Sequence, residues 1–361
     1  MAAVYCDVLP VHACRLPTSR KLSSLCLAHC SLSQSAIAGT RKCWGLLLSA
    51  TVIIYIAKSH RFCMLKHRGH EDDHEETCEI ILAVQMDKPQ LLFDLLHQDK
   101  YKNYIESRSG WGVPVTPLRL AASQGFLECV KVLLANGAEV DCLDAKAQTP
   151  LFAAVSAGHL DCVRELLKAG ANPRGSVHNN CSPMLSASRV GHVNILKELL
   201  EYGADVNTRA RRRPKRPGSS CTGPLYLAAV YGHLECFRTL LLHGAEPNYN
   251  CTDQDILRRM KNPVSVLETC LRHGCGPEFI NLLIDFGARV HLPNMNAYQS
   301  LAQRPALEFL EREKVYPRSL MSQCRVSIRR RLYQIGKLGF IDQLDIPKRM
   351  VNYLLYQNNQ Q

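Results

Sequence analysis

Six possible metal ligands crowd one stretch of the chain: His60, Cys63, His67, His70, His74 and Cys78, in the pattern H-x2-C-x3-H-x2-H-x3-H-x3-C. On a helix His70, His74 and Cys78 would share one face, and zinc accepts such donors. His70 to His74, HEDDH, matches the short H-E-x-x-H pattern, but the EDDHEET that overlaps it is a solvated charged stretch, so these read as ordinary surface histidines and no metal is expected. A second cluster is cationic. Arg209 to Arg216 reads RARRRPKR, six cations in eight residues. Three readings stand for it: an import signal, a contact for an acidic substrate through Arg211, Arg212 and Arg213, or a solvated loop. Nucleic-acid binding is disfavoured, because no aromatic residue lies within the run to stack on bases. Motifs for nucleotide or serine-nucleophile chemistry do not occur in the sequence. G-x-x-x-x-G-K-[ST], G-x-G-x-x-G and G-x-S-x-G are absent, and the HEDDH of residues 70–74 falls in the solvated charged stretch, so neither a cofactor nor an intrinsic enzymatic activity is expected.

The elements that would carry such residues must be sought in 361 residues with 44 Lys and Arg against 32 Asp and Glu, a formal charge of +12. A hydrophobic content of 46% with 21% charged residues is globular and excludes wholesale disorder. Seventeen cysteines, an odd number with no C-x-x-C pair, fit neither a small disulfide framework nor a zinc ribbon or RING finger. Several, Cys129, Cys162 and Cys236 among them, fall inside apolar helical patterns and read as small buried hydrophobes of a reduced, intracellular protein. The longest apolar run, Trp44 to Ala57, would rise only about 21 Å as a helix, short of the ~30 Å hydrocarbon core, so no membrane association is expected. Residues 1–74 carry no assignable pattern and read as a disordered or loosely helical extension.

Self-similarity decides the architecture. Thr116-Pro117-Leu118 opens TPLRLAASQGFLECVKVLLANGAEVD, and Thr149-Pro150-Leu151 opens a similar unit 33 residues later. Further units open at Ser182-Pro183, at Gly223-Pro224-Leu225 and, more weakly, at Ser265. Cys78 to Gln98 has the two-helix rhythm without the signatures. A hydroxyl before Pro N-caps a helix whose first residue needs no donor. Gly125, Gly158, Gly191, Gly232 and Gly274 stop a short first helix, and Gly137 and its equivalents stop the second. Between the stops, apolar residues keep helical spacing, as at Leu160, Val163, Leu166 and Leu167. One such helix pair cannot bury its apolar face alone, so neighbours must stack. Over 75–310 the chain resembles the ankyrin repeat, which implies an all-α solenoid of about six repeats with short β-hairpin fingers. The basic run lies in an eight-residue insertion between two repeats, and a second insertion surrounds Cys251 to Asn262; long surface loops cost a stacked array little.

Residues 311–357 follow a different rule. Leu320, Cys324, Ile328 and Leu332 sit four apart, with Arg325, Arg329, Arg330 and Arg331 between them: one apolar stripe on an otherwise cationic helix. Ile341, Leu344, Ile346 and Pro347 follow, then Met350, Val351, Tyr353 and Leu354 as a last short helix. This tail resembles a three-helix SOCS box, and the whole is similar to the ankyrin-repeat and SOCS-box family. The family's elongin-binding pattern is met by Ser319-Leu320, Cys324 and Ile328. Its cullin-binding pattern is met by Leu344-Asp345-Ile346-Pro347, with Asp345 departing from the proline usual there.

The resemblance implies a non-catalytic substrate receptor of a cullin–RING ubiquitin ligase. Leu320, Cys324 and Ile328 would hold elongin C of the elongin B/C pair. Leu344, Ile346 and Pro347 would select cullin-5 with its RING partner, and the ankyrin surface would hold a protein substrate for ubiquitylation. Arg119, Asp144 and Phe152 are candidate substrate contacts, and the expected location is cytoplasmic, extending to the nucleus if the basic run is an import signal. The competing class is an ankyrin scaffold without a ligase. The two differ on whether Leu320 and Cys324 face solvent or are buried against the last repeat.

Overall fold

The Thr/Ser-Pro steps and the glycine stops set the helix ends in the computed structural model, which describes residues 74–108, 115–144, 146–178, 182–209, 223–248, 264–291, 304–316 and 318–357. All belong to one unit, residues 69–361. The apolar run 44–57, the histidine-rich run up to His70, both insertions and the expected N-terminal extension through residue 73 lie outside the described residues.

Helices come in consecutive pairs: α1 (His74–Gln85) with α2 (Pro89–Leu96), α3 (Pro117–Gln124) with α4 (Leu127–Ala135), α5 (Pro150–Ala157) with α6 (Leu160–Lys168), α7 (Pro183–Val190) with α8 (Val193–Glu201), α9 (Pro224–Val230) with α10 (Leu234–Leu242), and α11 (Val266–His273) with α12 (Pro277–Asp285). First helices pack on first helices and second on second, giving two layers around one continuous core. The hydroxyls of Thr116, Thr149, Ser182 and Ser265 each accept the amide three residues on, at 3.4, 3.2, 3.2 and 3.0 Å. Each such cap is worth about 1 kcal/mol. Gly223 supplies no side-chain cap, so α9 starts on its proline alone.

Glycine is required twice over at Gly158. Its φ is +89°, and an added Cβ would stand 2.8 Å from the ring of His192 in the next repeat. His159 and His233 approach Gly125 and Gly191 in the same way, so a row of histidines joins successive repeats. His233 Nε2 lies 3.0 Å from the carbonyl oxygen of Arg189, a distance at which that nitrogen carries the proton and donates. Burial, and then the neighbouring His233 and His159, hold the His192 pKa below its ordinary value.

The fingers depart from the hairpin expectation. Among the described residues they are turns without a strand, and only Val115 makes an isolated bridge. They are held instead by side chains that accept the backbone N–H of the next finger: Glu106 for Glu139 (2.6 Å), Asp141 for Asn172, Asn207 for Glu246 (2.9 Å) and Asn248 for Arg289 (2.8 Å). An Asp or Asn side chain reaches one repeat along without needing the paired strands of a ladder.

Helix α13 (Arg304–Val315) packs on α12 and buries Ala306 and Leu310 in the solenoid core, so the expected boundary at 310/311 falls inside a helix. The C-terminal module consists of α14 (Leu320–Gln334), a 3-10 turn over Leu338–Gln343 and α15 (Lys348–Leu354) around its own small core of Ile341, Val351 and Leu354. No described helix is long and apolar enough to cross a membrane.

Candidate functional site

Helix α14 inverts the usual rule that apolar residues go in and arginines go out. Ser319 caps it, its hydroxyl accepting the Ser322 amide at 3.3 Å. Four-residue spacing puts Leu320, Cys324 and Ile328 on one face. That face is solvent-exposed: Leu320 is 76% exposed, Ile328 41% and neighbouring Met321 56%, and the Cys324 thiol is exposed too. Leu332, the fourth member of the stripe, turns in to the module's core.

Two of the four arginines, Arg325 and Arg329, meet the array, while Arg330 and Arg331 are exposed. Arg329 is buried; it donates from Nη2 to the Leu242 carbonyl at the end of α10 (2.5 Å) and from Nη1 to the Leu354 carbonyl at the end of α15 (2.9 Å). One guanidinium thus caps two helix C-termini, where the backbone carries partial negative charge. Arg325 lies over the Tyr356 ring at 3.8 Å and the Tyr353 ring at 4.5 Å, and Phe286 stacks on the other side of Tyr356 at 4.0 Å. The Arg325–Asp285 pair is 3.4 Å, and burial raises the Asp285 pKa against the pull of Arg325 and Arg318. That long, desolvated ion pair is the weaker part of the contact.

Tyr356 bears the strain of the junction. Its φ is +59°, a left-handed position that a bulky residue adopts at a cost. The offset is visible: its ring fills the slot between Phe286 and Arg325, and its hydroxyl donates to the Asp285 carbonyl at 2.8 Å. Burial pushes the phenol pKa up to about 12, so the group stays a donor. Tyr333 completes the junction, its ring over Gly244 and its hydroxyl accepting from Asn207 Nδ2 at 3.0 Å. None of this was read from the sequence. The available signal was an arginine pair four apart facing a tyrosine pair three apart.

The 3-10 turn positions the remaining expected residues. Leu344 is half-buried against the module core, whereas Ile346 and Pro347 are exposed just before α15, as is Asp345. The candidate substrate contacts on the array divide. Asp144 and Phe152 are buried, and Arg119 turns onto Asp144 at 3.1 Å and donates to Gln148 at 3.0 Å. Asp144 also accepts the amides of Lys146 and Gln148. In this fold these three residues help to shape a finger and a helix. Arg211, Arg212 and Arg213 lie outside the described residues. Exposed instead are Val190 and Tyr231, at the ends of neighbouring first helices. The cysteines sort by burial: the thiols of Cys129, Cys162 and Cys236 are pushed up, to about 12, 11 and 11, as befits packing groups.

Known proteins place both regions. A family profile for ankyrin repeats (3 copies) matches residues 80–176, 118–210 and 176–251, and one for the SOCS box matches 316–355. The human ankyrin repeat and SOCS box protein 12 is 60% identical over 299 residues, 82% of this chain and 97% of that protein. The mouse ankyrin repeat and SOCS box protein 1 is 45% identical over 308 residues, 80% of this chain and 91% of that one. The crystal structure of the human ASB11 ankyrin repeat domain superposes with a TM-score of 0.52 at 25% identity, over 66% of this chain and 99% of that one. With a stacked array, a docked C-terminal module and these relatives along most of its length, the chain belongs to the ankyrin repeat and SOCS box family, whose members are substrate adaptors of cullin–RING ubiquitin ligases.

Proposed function

We propose that this chain joins a protein substrate to an elongin B/C–cullin-5 ligase, with α14 as the elongin C site. The observation that carries this reading is the exposed stripe of Leu320, Cys324 and Ile328 on a helix whose opposite side is already committed to the array. A stripe left in water while arginines are buried calls for a hydrophobic partner; covering Leu320 and Ile328 would return about 2 kcal/mol each. Ile346 and Pro347, exposed beyond the turn, are the proposed cullin contacts, with Leu344 holding the turn in place from the module core.

The adaptor contributes geometry rather than reacting groups. Fixing the substrate and the ubiquitin-loaded partner on one rigid body raises the effective concentration of substrate lysines at the thioester. The double carbonyl clamp of Arg329 supplies that rigidity between array and box. Co-expression with elongins B and C tests the proposal: a stable ternary complex is expected, and a folded chain that purifies alone contradicts it. Selective capture of cullin-5 over other cullins by that complex, lost on Ile346→Ala with Pro347→Ala, tests the finer choice.

A further inference from the structure

A groove of about 460 Å³ runs between the last fingers of the array and the side of α14. Its size lies within the roughly 300–1,000 Å³ typical of ligand sites. Three arginines from three different segments line it: Arg289 from the last finger, Arg318 just ahead of α14 and Arg330 from α14 itself. Gly287 and Val326 press together to make the floor, and Ser327 adds an exposed hydroxyl. Arg318 is committed, donating from Nη2 to the Ala288 carbonyl. Arg289 and Arg330 are exposed, and among the described residues no side-chain partner holds either of them. The finger beneath is nevertheless stiff, because Asn248 accepts the Arg289 amide at 2.8 Å and donates to the Gly287 carbonyl at 3.2 Å.

We infer that this groove binds an acidic peptide segment of a partner protein, with Arg289 and Arg330 reaching its carboxylates. Planar guanidinium forks rising from a stiff finger on one side of a cleft and a helix on the other suit planar carboxylates better than a diffuse positive surface would. A peptide fits better than a nucleic acid for two reasons. Among the described residues the groove is lined by no aromatic ring on which a base could stack. Its wall also carries the carboxylate of Glu246, held in place by the Asn248 amide and side chain at 3.1 and 3.3 Å. That group would repel a continuous polyanion, but a peptide can set a neutral residue or an N–H opposite it. The groove flanks the same helix that displays Leu320, Cys324 and Ile328, so an occupant would lie at the ligase end of the array. Its use as a substrate contact rests on the adaptor reading; the binding itself does not.

The test is fluorescence anisotropy at low salt with the full chain and a dye-labelled Glu-Gly repeat peptide, a Gln-Gly control and a single-stranded oligonucleotide. Arg289→Ser with Arg330→Ser is compared with a chain whose six cations in Arg209–Arg216 are serine, after melting curves confirm that both fold. The acidic peptide is expected to bind the wild type, to weaken with added salt, and to lose about tenfold or more in the groove variant alone. Elongin B/C capture by the same preparations should be unchanged, which separates failure of the groove from failure of the adaptor reading. No binding by the wild type, equal binding of the Gln-Gly peptide, loss only in the Arg209–Arg216 variant, or tighter groove-dependent binding of the oligonucleotide would each overturn the inference.

Discussion

The array and the box solve the same problem, how to hold short helices together, in opposite ways. In the array, α5 buries Leu151, Phe152, Ala153, Ala154 and Val155 and carries no charged residue at all. In the box, α14 buries only Arg329 and leaves Leu320, Met321 and Ile328 in water. The array is closed by apolar contact along one core. The box is attached through carbonyl caps, a stacked tyrosine and a desolvated arginine, and its apolar face is left free. A directional, hydrogen-bonded attachment fixes orientation, while the unburied stripe keeps surface in reserve for a partner. One helix can therefore serve the fold and the assembly at once.

Mutations should separate the two strategies. Leu166→Ala, in the fully buried core of the array, should cost about 3 kcal/mol or more, read as a lowered denaturation midpoint, whereas Leu320→Ala should leave that midpoint nearly unchanged. Equal losses would mean that the stripe is a structural seam. Arg329→Ala should cost about 2 kcal/mol, because it strands one buried and one half-buried carbonyl, and should speed hydrogen exchange in α14 and α15 while α5 to α8 stay protected. Uniformly faster exchange would show that box and array do not open separately. Tyr356→Phe removes one hydrogen bond but keeps the stacked ring, so a loss of about 1 kcal/mol is expected, again confined to the box.

The smallest effect is one of pH and belongs to the array. The pKa of His192, and that of His273, is lowered in the fold mainly by burial, so the folded chain prefers both rings neutral. Their contribution is present above the ordinary histidine value of 6.5 and is lost as pH falls through the lowered folded values. Melting curves from pH 7.5 downwards should therefore show the array losing stability in mild acid, with His192→Gln flattening part of the slope; a rise in stability over that range would contradict the assignment.

The array was legible because its signals are local. Thr149-Pro150, the Gly158 stop and the Leu160–Leu167 spacing each act within one repeat, and α5 and α6 begin and end where those residues require. The stripe on α14 was legible too, as four-residue spacing, but its exposure to solvent was not. What escaped was everything set between repeats or between array and box. Arg119 and Asp144 appear free in the sequence but meet across a finger, and Phe152 turns into the core. Arg329 and Leu242 are 87 residues apart, and no periodicity announces that one will cap the other. The finger ladder of Glu106, Asp141, Asn207 and Asn248 likewise depends on stacking that only the solenoid supplies.

The central claim is that the face of α14 turned away from the array is a protein-docking site while the face turned toward it is structural. Calorimetric titration of elongin B/C into the wild type, into Leu320→Ala with Cys324→Ala, and into Arg329→Ala tests it most directly. The account predicts that the double variant keeps its melting temperature and loses about a hundredfold or more in affinity. It predicts the reverse for Arg329→Ala, a lowered melting temperature with affinity largely kept. Tight elongin binding by a folded double variant would contradict it.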